Sequence, residues 1–123
     1  MELFKIAEYL KKANPEPGKR YTQQLLEQKA ENLVGLFAVL PPGTQTPYHF
    51  HDERESVIIV ISGQATELVE CKRIPIQVND VLFIPAKQKH GIENRTHGEL
   101  RHLEFQVGKP GEADFVETDW SEA

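Results

Sequence analysis

The residues in this sequence best suited to chemistry are histidines. His49 and His51 stand one residue apart in Pro47-Tyr48-His49-Phe50-His51, Glu55 follows shortly, and His90 comes later, just after Pro85. On an extended backbone, side chains two apart share a face. The imidazoles of His49 and His51 therefore aim at one point while Phe50 turns away. Two convergent imidazoles, a carboxylate and a third imidazole from a distant stretch make a donor set for a divalent transition metal. The competing reading is a set of hydrogen-bonded interior histidines with no metal. A lone histidine would favour that reading; three at this spacing favour the metal, because ligation demands convergence.

The elements that position these residues are short. Leu3, Ile6, Ala7 and Leu10 fall at helical spacing, which predicts a helix over residues 2–13, stopped by Asn14-Pro15-Glu16-Pro17-Gly18. Everything after that reads as strands and turns. Strands are expected at Tyr21 to Gln28, Leu33 to Leu40, Pro47 to His51, Ser56 to Ile61, Gln64 to Val69, Ile74 to Val78, Val81 to Ile84, His90 to Asn94 and Leu100 to Val107. About nine short strands at near-regular spacing point to an all-β antiparallel sandwich or barrel. The chain divides into an N-terminal helix and linker (1–20), a barrel (21–108) and a polar tail (109–123) opened by Lys109-Pro110-Gly111. Helix and tail read as decorations of one domain.

Composition narrows the function classes. A chain of 123 residues with 39% hydrophobic content supports one modest core. The longest apolar run, Val57 to Ile61, is strand length and far below the roughly 18 residues of a membrane span. Met1-Glu2-Leu3-Phe4-Lys5 lacks a signal pattern, so a cytoplasmic protein is expected. A net charge of −5 argues against general nucleic-acid or anionic-membrane binding. The short basic clusters, such as Lys11-Lys12 and Lys72-Arg73, read as solvated surface. The single cysteine, Cys71, excludes an intrachain disulfide. It sits at an expected hairpin tip beside two cations, which would lower its pKa, but no histidine adjoins it and an incidental thiol is favoured. No Gly-rich phosphate-binding loop is present.

The histidine segments resemble the two motifs of the cupin superfamily. The first motif runs Gly, five residues, His-x-His, three or four residues, Glu, six residues, Gly. Gly43, His49, His51, Glu55 and Gly63 follow it, with seven residues rather than six between Glu55 and Gly63. Counted back from Gly63, the glutamate position falls on Ser56. The second motif runs Gly, five residues, Pro-x-Gly, two residues, His, three residues, Asn. Pro85, His90 and Asn94 match it, Asn79 replaces the first Gly and Lys87 the second. Asn tolerates the left-handed conformation such a turn needs; Lys87 suggests a changed loop. The resemblance implies a double-stranded β-helix, or jelly-roll barrel, with ligands pointing inward toward an open mouth. It implies one metal on His49, His51, Glu55 and His90. Three nitrogens and one oxygen suit Fe, Mn, Ni, Zn or Cu, and the open positions permit Lewis-acid or oxygen chemistry.

In Leu100 to Val107, alternation puts His102, Glu104 and Gln106 on one face and Leu103, Phe105 and Val107 on the other. If the polar face looks inward, His102 and Glu104 line the pocket. The polar-out habit of half-buried strands favours a solvated face instead. His97 reads as a turn residue, Asn94 as a structural one holding its turn, Tyr21 and Phe37 as core, and Tyr48 and Phe50 as packing or interface residues. Trp120 is either a docking anchor for a partner subunit or simply exposed.

Two functions fit. One is a metal-dependent enzyme on a small polar molecule. It would be an oxygenase with Fe, or an isomerase or lyase in which Zn or Mn polarises a carbonyl and Glu104 moves a proton. The other is a non-catalytic module that holds a sugar or small acid. A structural oligomer unit is a weaker third. The β-branched run at 57–61 and the N-terminal helix are candidate contacts of a homodimer.

Overall fold

The computed structural model describes residues 1–108 and 114–122, Gln28 by its backbone alone. Lys109-Pro110-Gly111, the expected start of the tail, lies outside the described residues. In chain order the elements are α1 (Ile6–Lys12), β1 (Tyr21–Leu25), β2 (Leu33–Leu40), β3 (His49–Phe50), β4 (Glu55–Ser62), β5 (Gln64–Val69), β6 (Lys72–Gln77), β7 (Val81–Ile84), β8 (His90–Glu93), β9 (Leu100–Val107) and β10 (Val116–Glu117). They build two five-stranded sheets, ordered β1-β2-β9-β4-β7 and β10-β3-β8-β5-β6. The named pairings are antiparallel. This is the expected all-β jelly-roll barrel with a short N-terminal helix.

Two departures from the expected elements have local causes. The first strand stops at Leu25 because Leu26 and Glu27 take φ of 62° and 47°, which no strand accommodates. The tenth strand, β10, falls in the stretch read as a polar tail and pairs with β3.

The core has two parts. Between the sheets lie Leu40, Ile58, Val60, Ile84, Ile92 and Leu100 among others, all buried. On the outer face of the first sheet, Leu25, Phe37 and Val39 form a second buried cluster under Ile6 and Tyr9 of α1, with Leu103 and Phe105 packed against it. The Tyr9 and Phe37 rings sit 5.9 Å apart. The helix thus covers part of a sheet face that would otherwise meet water.

β4 carries a β-bulge near its end. Val60 stands opposite His102, but Ser62 stands opposite Arg101, so Ile61 is the inserted residue. The alternation before it is intact and puts Ser56, with six residues between it and Gly63, on the buried face and Glu55 on the exposed one. Asn79 and Lys87 both take left-handed backbone conformations, φ 75° and 71°. Each therefore supplies the geometry a glycine would. The Lys87 N–H donates to the His51 carbonyl at 2.6 Å. Asn94, 1% exposed, donates from Nδ2 to the carbonyls of Leu40 and Gly98 at 2.8 and 2.9 Å and accepts from Thr96. It ties two loops together, the structural role expected.

Gly63, at φ +84°, sits against the Glu99 carbonyl, which a Cβ would meet at 2.2 Å. Gly63→Ala should cost at least about 2 kcal/mol, from left-handed strain and backbone displacement together. A urea titration with an unchanged midpoint would contradict this.

Candidate metal centre

β3 and β8 meet at one residue pair, His49 opposite His90. That pairing brings the first and third imidazoles together, and the alternation of residues 49–51 adds the second. The ring centroids lie 4.3 Å apart for His49 and His90, 5.0 Å for His49 and His51, and 5.9 Å for His51 and His90. One ring nitrogen from each lies within 4.8 Å of the others, and all three side chains are buried.

The Nδ1 atoms are already engaged. His49 Nδ1 meets the Pro47 carbonyl at 2.7 Å, His51 Nδ1 the Asp114 carbonyl at 2.6 Å, and His90 Nδ1 the Glu67 Oε1 at 3.3 Å. A carbonyl only accepts, so His49 and His51 carry the proton on Nδ1 and keep a lone pair on Nε2. The Nε2 atoms of His51 and His90 are buried without a hydrogen-bond partner. Orphaned buried nitrogens need an explanation, and a shared cation between three Nε2 atoms supplies one. Burial lowers the His90 pKa and brings that of His49 to about 4. Both are thus held neutral, the form that ligates. The residues present fit a divalent transition metal.

Glu55 does not join them. Within β4, Ser56, Ile58 and Val60 are buried, Ser56 at 1% exposure, while Glu55 is exposed and pairs with Val107. Since the bulge lies downstream at Ile61, it leaves the direction of Glu55 unchanged. Ser56 occupies the inward place, and its Oγ is buried without a partner.

The polar face of β9 also lies opposite to the favoured expectation. His102 is fully buried and Glu104 is 7% exposed. The opposite face of β9 is itself covered: Leu103 and Phe105 pack against the buried cluster of Leu25, Phe37 and Val39. Glu104 and Gln106 therefore line the cavity, and His102 lies deeper, opposite Ala38 and Val60. Burial brings His102 to about 4 despite the neighbouring Glu104. Burial pushes Glu104 upward, but His102, Gln106 and Arg20 together bring it below its ordinary value, so it is ionised. Gln106 Nε2 donates to Glu104 Oε2 at 2.7 Å, which leaves Oε1 facing other partners.

The cavity holds about 250 Å³ and is bounded by the three histidines, Glu104, Gln106, Arg20, Arg54, Ile58, Asp114 and Phe115 among others. Sequence reasoning passed over Arg20, Arg54, Glu67, Asp114 and Phe115. Glu67 is buried on β5 and pushed well above the carboxylate range, by burial first and the Glu104 charge second. Its neighbour Leu68 is buried too, so alternation carried no signal there. Trp120 is half-buried against its own chain. Its ring meets Tyr48 edge-on at 5.0 Å, and the Arg73 guanidinium lies 5.6 Å from its centroid.

The cupin domain profile matches residues 36–105, and the chain belongs to that family. An oxalate-binding protein of Thermotoga maritima is 30% identical over 81 residues, 64% of this chain and 67% of that one. An uncharacterised double-stranded β-helix protein from Klebsiella pneumoniae superposes with a TM-score of 0.79 at 19% identity, covering 96% of this chain and 99% of its own. A sugar phosphate isomerase of the cupin superfamily from Silicibacter pomeroyi gives a TM-score of 0.70 at 19% identity, covering 85% and 80%. The chain is thus a small cupin with three buried histidines that can hold a metal ion. No helix among the described residues is long and apolar enough to cross a membrane.

Glu55→Ala should leave cobalt affinity unchanged, while Glu67→Ala should weaken it about 10- to 100-fold by freeing the His90 ring. Competition titration against a metal-sensitive dye reads both. Equal losses in the two variants would return Glu55 to the ligand set.

Proposed function

We propose that this cupin is a metal-dependent enzyme acting on a small anionic molecule by proton transfer, of the isomerase or lyase type. The observation that carries the reading is the convergence of three buried imidazoles on a cavity whose wall also holds an ionised carboxylate, Glu104. Metal bound by His49, His51 and His90 supplies Lewis acidity toward a ligand oxygen. Glu104 Oε1 takes the proton, and Gln106 holds the other carboxylate oxygen. Arg20 and Arg54 bind the charged end of the ligand from the cavity wall. Phe115 and the aliphatic wall, Ile58 and Ile92, keep bulk water back.

Charge supports an anion. The three ligands are neutral, so they leave the charge of a dication uncompensated. Of the two carboxylates on the wall, Asp114 already accepts three backbone N–H groups. Without counting Arg54, which donates to Gln106 at 3.1 Å, the dication and the Arg20 guanidinium outweigh the Glu104 and Asp114 carboxylates. An oxalate-binding relative and a sugar phosphate isomerase of the same fold point the same way.

The second reading is a module that holds such an anion without converting it, and the name of the oxalate-binding relative favours it. Purified protein should take up one divalent metal per chain, and the loaded protein should bind oxalate or a sugar phosphate but not a neutral sugar. Arg20→Ala should weaken that binding about 10- to 100-fold. Glu104→Gln should keep metal and ligand while turnover falls about 100- to 10,000-fold. A metal ratio near zero after adding Fe, Mn, Ni or Zn defeats both readings. A bound anion recovered unchanged from aerobic, metal-loaded protein leaves only the second.

We also infer a homodimer through the outer face of the first sheet. That face presents Val57 beside Phe83 and Phe105, and Ile59 beside Val81 and Leu103. Val81, Phe83 and Val107 are 64%, 59% and 56% exposed. A self-complementary apolar face suits a two-fold contact. Light scattering at micromolar concentration should return twice the chain mass, falling to one on Phe83→Asp; a monomeric parent protein contradicts the assignment.

A further inference from the structure

The segment that carries two of the three histidines, β3 with His51 just beyond it, is poorly held by the barrel itself. β3 is two residues long, and its pairing with β8 consists of the single match between His49 and His90. So short a strand with one partner is marginal. Its other edge is covered by β10, where Val116 pairs with Phe50 and Glu117 with His49. The Thr118 N–H adds a hydrogen bond to the Tyr48 carbonyl at 2.9 Å.

The residues just before β10 reach the imidazoles directly. The Asp114 carbonyl accepts from His51 Nδ1 at 2.6 Å. The Asp114 carboxylate accepts three consecutive backbone N–H groups, from Asp52 at 2.8 Å on Oδ1 and from Glu53 and Arg54 at 2.8 and 2.9 Å on Oδ2. It thereby closes the loop that follows His51. The Phe115 ring lies on His49, centroids 4.4 Å apart and planes 24° apart. Further along, Trp120 packs on Tyr48, and Arg73 Nε donates to Glu122 at 2.8 Å. Residues 114–122 therefore form a strap bound to the barrel at both ends.

We infer that Asp114 and Phe115 are positioning residues of the metal centre, setting the ring orientation of His51 and His49. Glu67 does the same for His90 from inside the barrel. The inference rests on the reading of the three histidines as a metal site. An imidazole has two side-chain torsions. Without the Asp114 carboxylate to hold residue 114 against the loop after His51, its carbonyl leaves Nδ1 and His51 can turn its Nε2 away from the shared point; without the Phe115 face, so can His49. Ligand positioning of this kind changes metal affinity about 10- to 100-fold. The strap's action falls chiefly on metal release, because it holds the site closed around ligands the barrel already brings near.

The test uses the full-length protein loaded with cobalt. Release to excess chelator is followed alongside the visible ligand-field spectrum. Asp114→Ala and Phe115→Ala should each release cobalt about 10- to 100-fold faster and shift the visible bands. Asp114→Asn, which keeps one acceptor oxygen, and Phe115→Tyr, which keeps the aromatic face, should recover most of the retention. Thermal melting of the apo proteins separates this from lost folding: the cobalt effect must exceed any change shared by a surface variant of equal stability. Wild-type rates and spectra in both alanine variants would overturn the inference while leaving the metal site standing. A parent protein that takes up no cobalt overturns both, and is read before any variant is made.

Discussion

The structure depends on aiming three buried imidazoles at one point. Burial holds His49 and His90 neutral, since a desolvated imidazolium is disfavoured. Aim is harder, because a neutral ring offers either nitrogen. Here each Nδ1 is met by an oxygen, from the backbone of residues 47 and 114 and the side chain of Glu67. The Nε2 atoms are left to face the centre. That arrangement leaves buried nitrogens unsatisfied until something shares them, so the metal-free site carries a free-energy cost the barrel must bear.

Much of this was legible from residue spacing. His49 and His51 share a face because extended chains alternate, and His90 joins them because β8 runs beside β3. Glu55 was not legible, because the motif admits three or four residues after His51, so Glu55 and Ser56 both fit, and only the burial alternation of β4 shows that Ser56 faces inward. The direction of His102 and Glu104 was hidden for a different reason. Alternation sorts a strand into two faces without saying which is inside. Here both faces are covered, since Leu103 and Phe105 on the outer one pack against the cluster of Leu25, Phe37 and Val39. A rule based on one covered face per sheet fails wherever both are covered.

These two displacements bear on one another. The inward place on β4 belongs to a serine, while an ionised glutamate stands on β9 across the same cavity. A carboxylate bound to the metal would lower the site's charge and occupy a coordination position. A carboxylate on the wall does neither, and keeps its lone pairs for a proton. Under the proposed function, a carboxylate on the wall in place of one on the metal suits the site to anions and to base chemistry.

The barrel and its strap also divide the labour by distance along the chain. The sheets bring the histidine-bearing strands together, yet the contact that orients His51 spans 63 positions. Such long-range contacts are the last to repay the entropy of closing their loops. An isolated aromatic and an isolated aspartate in an acidic terminal stretch therefore carry no local pattern, and their value exists only once the barrel has formed beneath them. Phe115 shows this most clearly. It is 46% exposed, which by burial alone would mark it as dispensable, but the covered part of its surface lies against His49. Its worth lies in the ring it covers, and exposure is a poor guide to a residue whose partner is a ligand side chain.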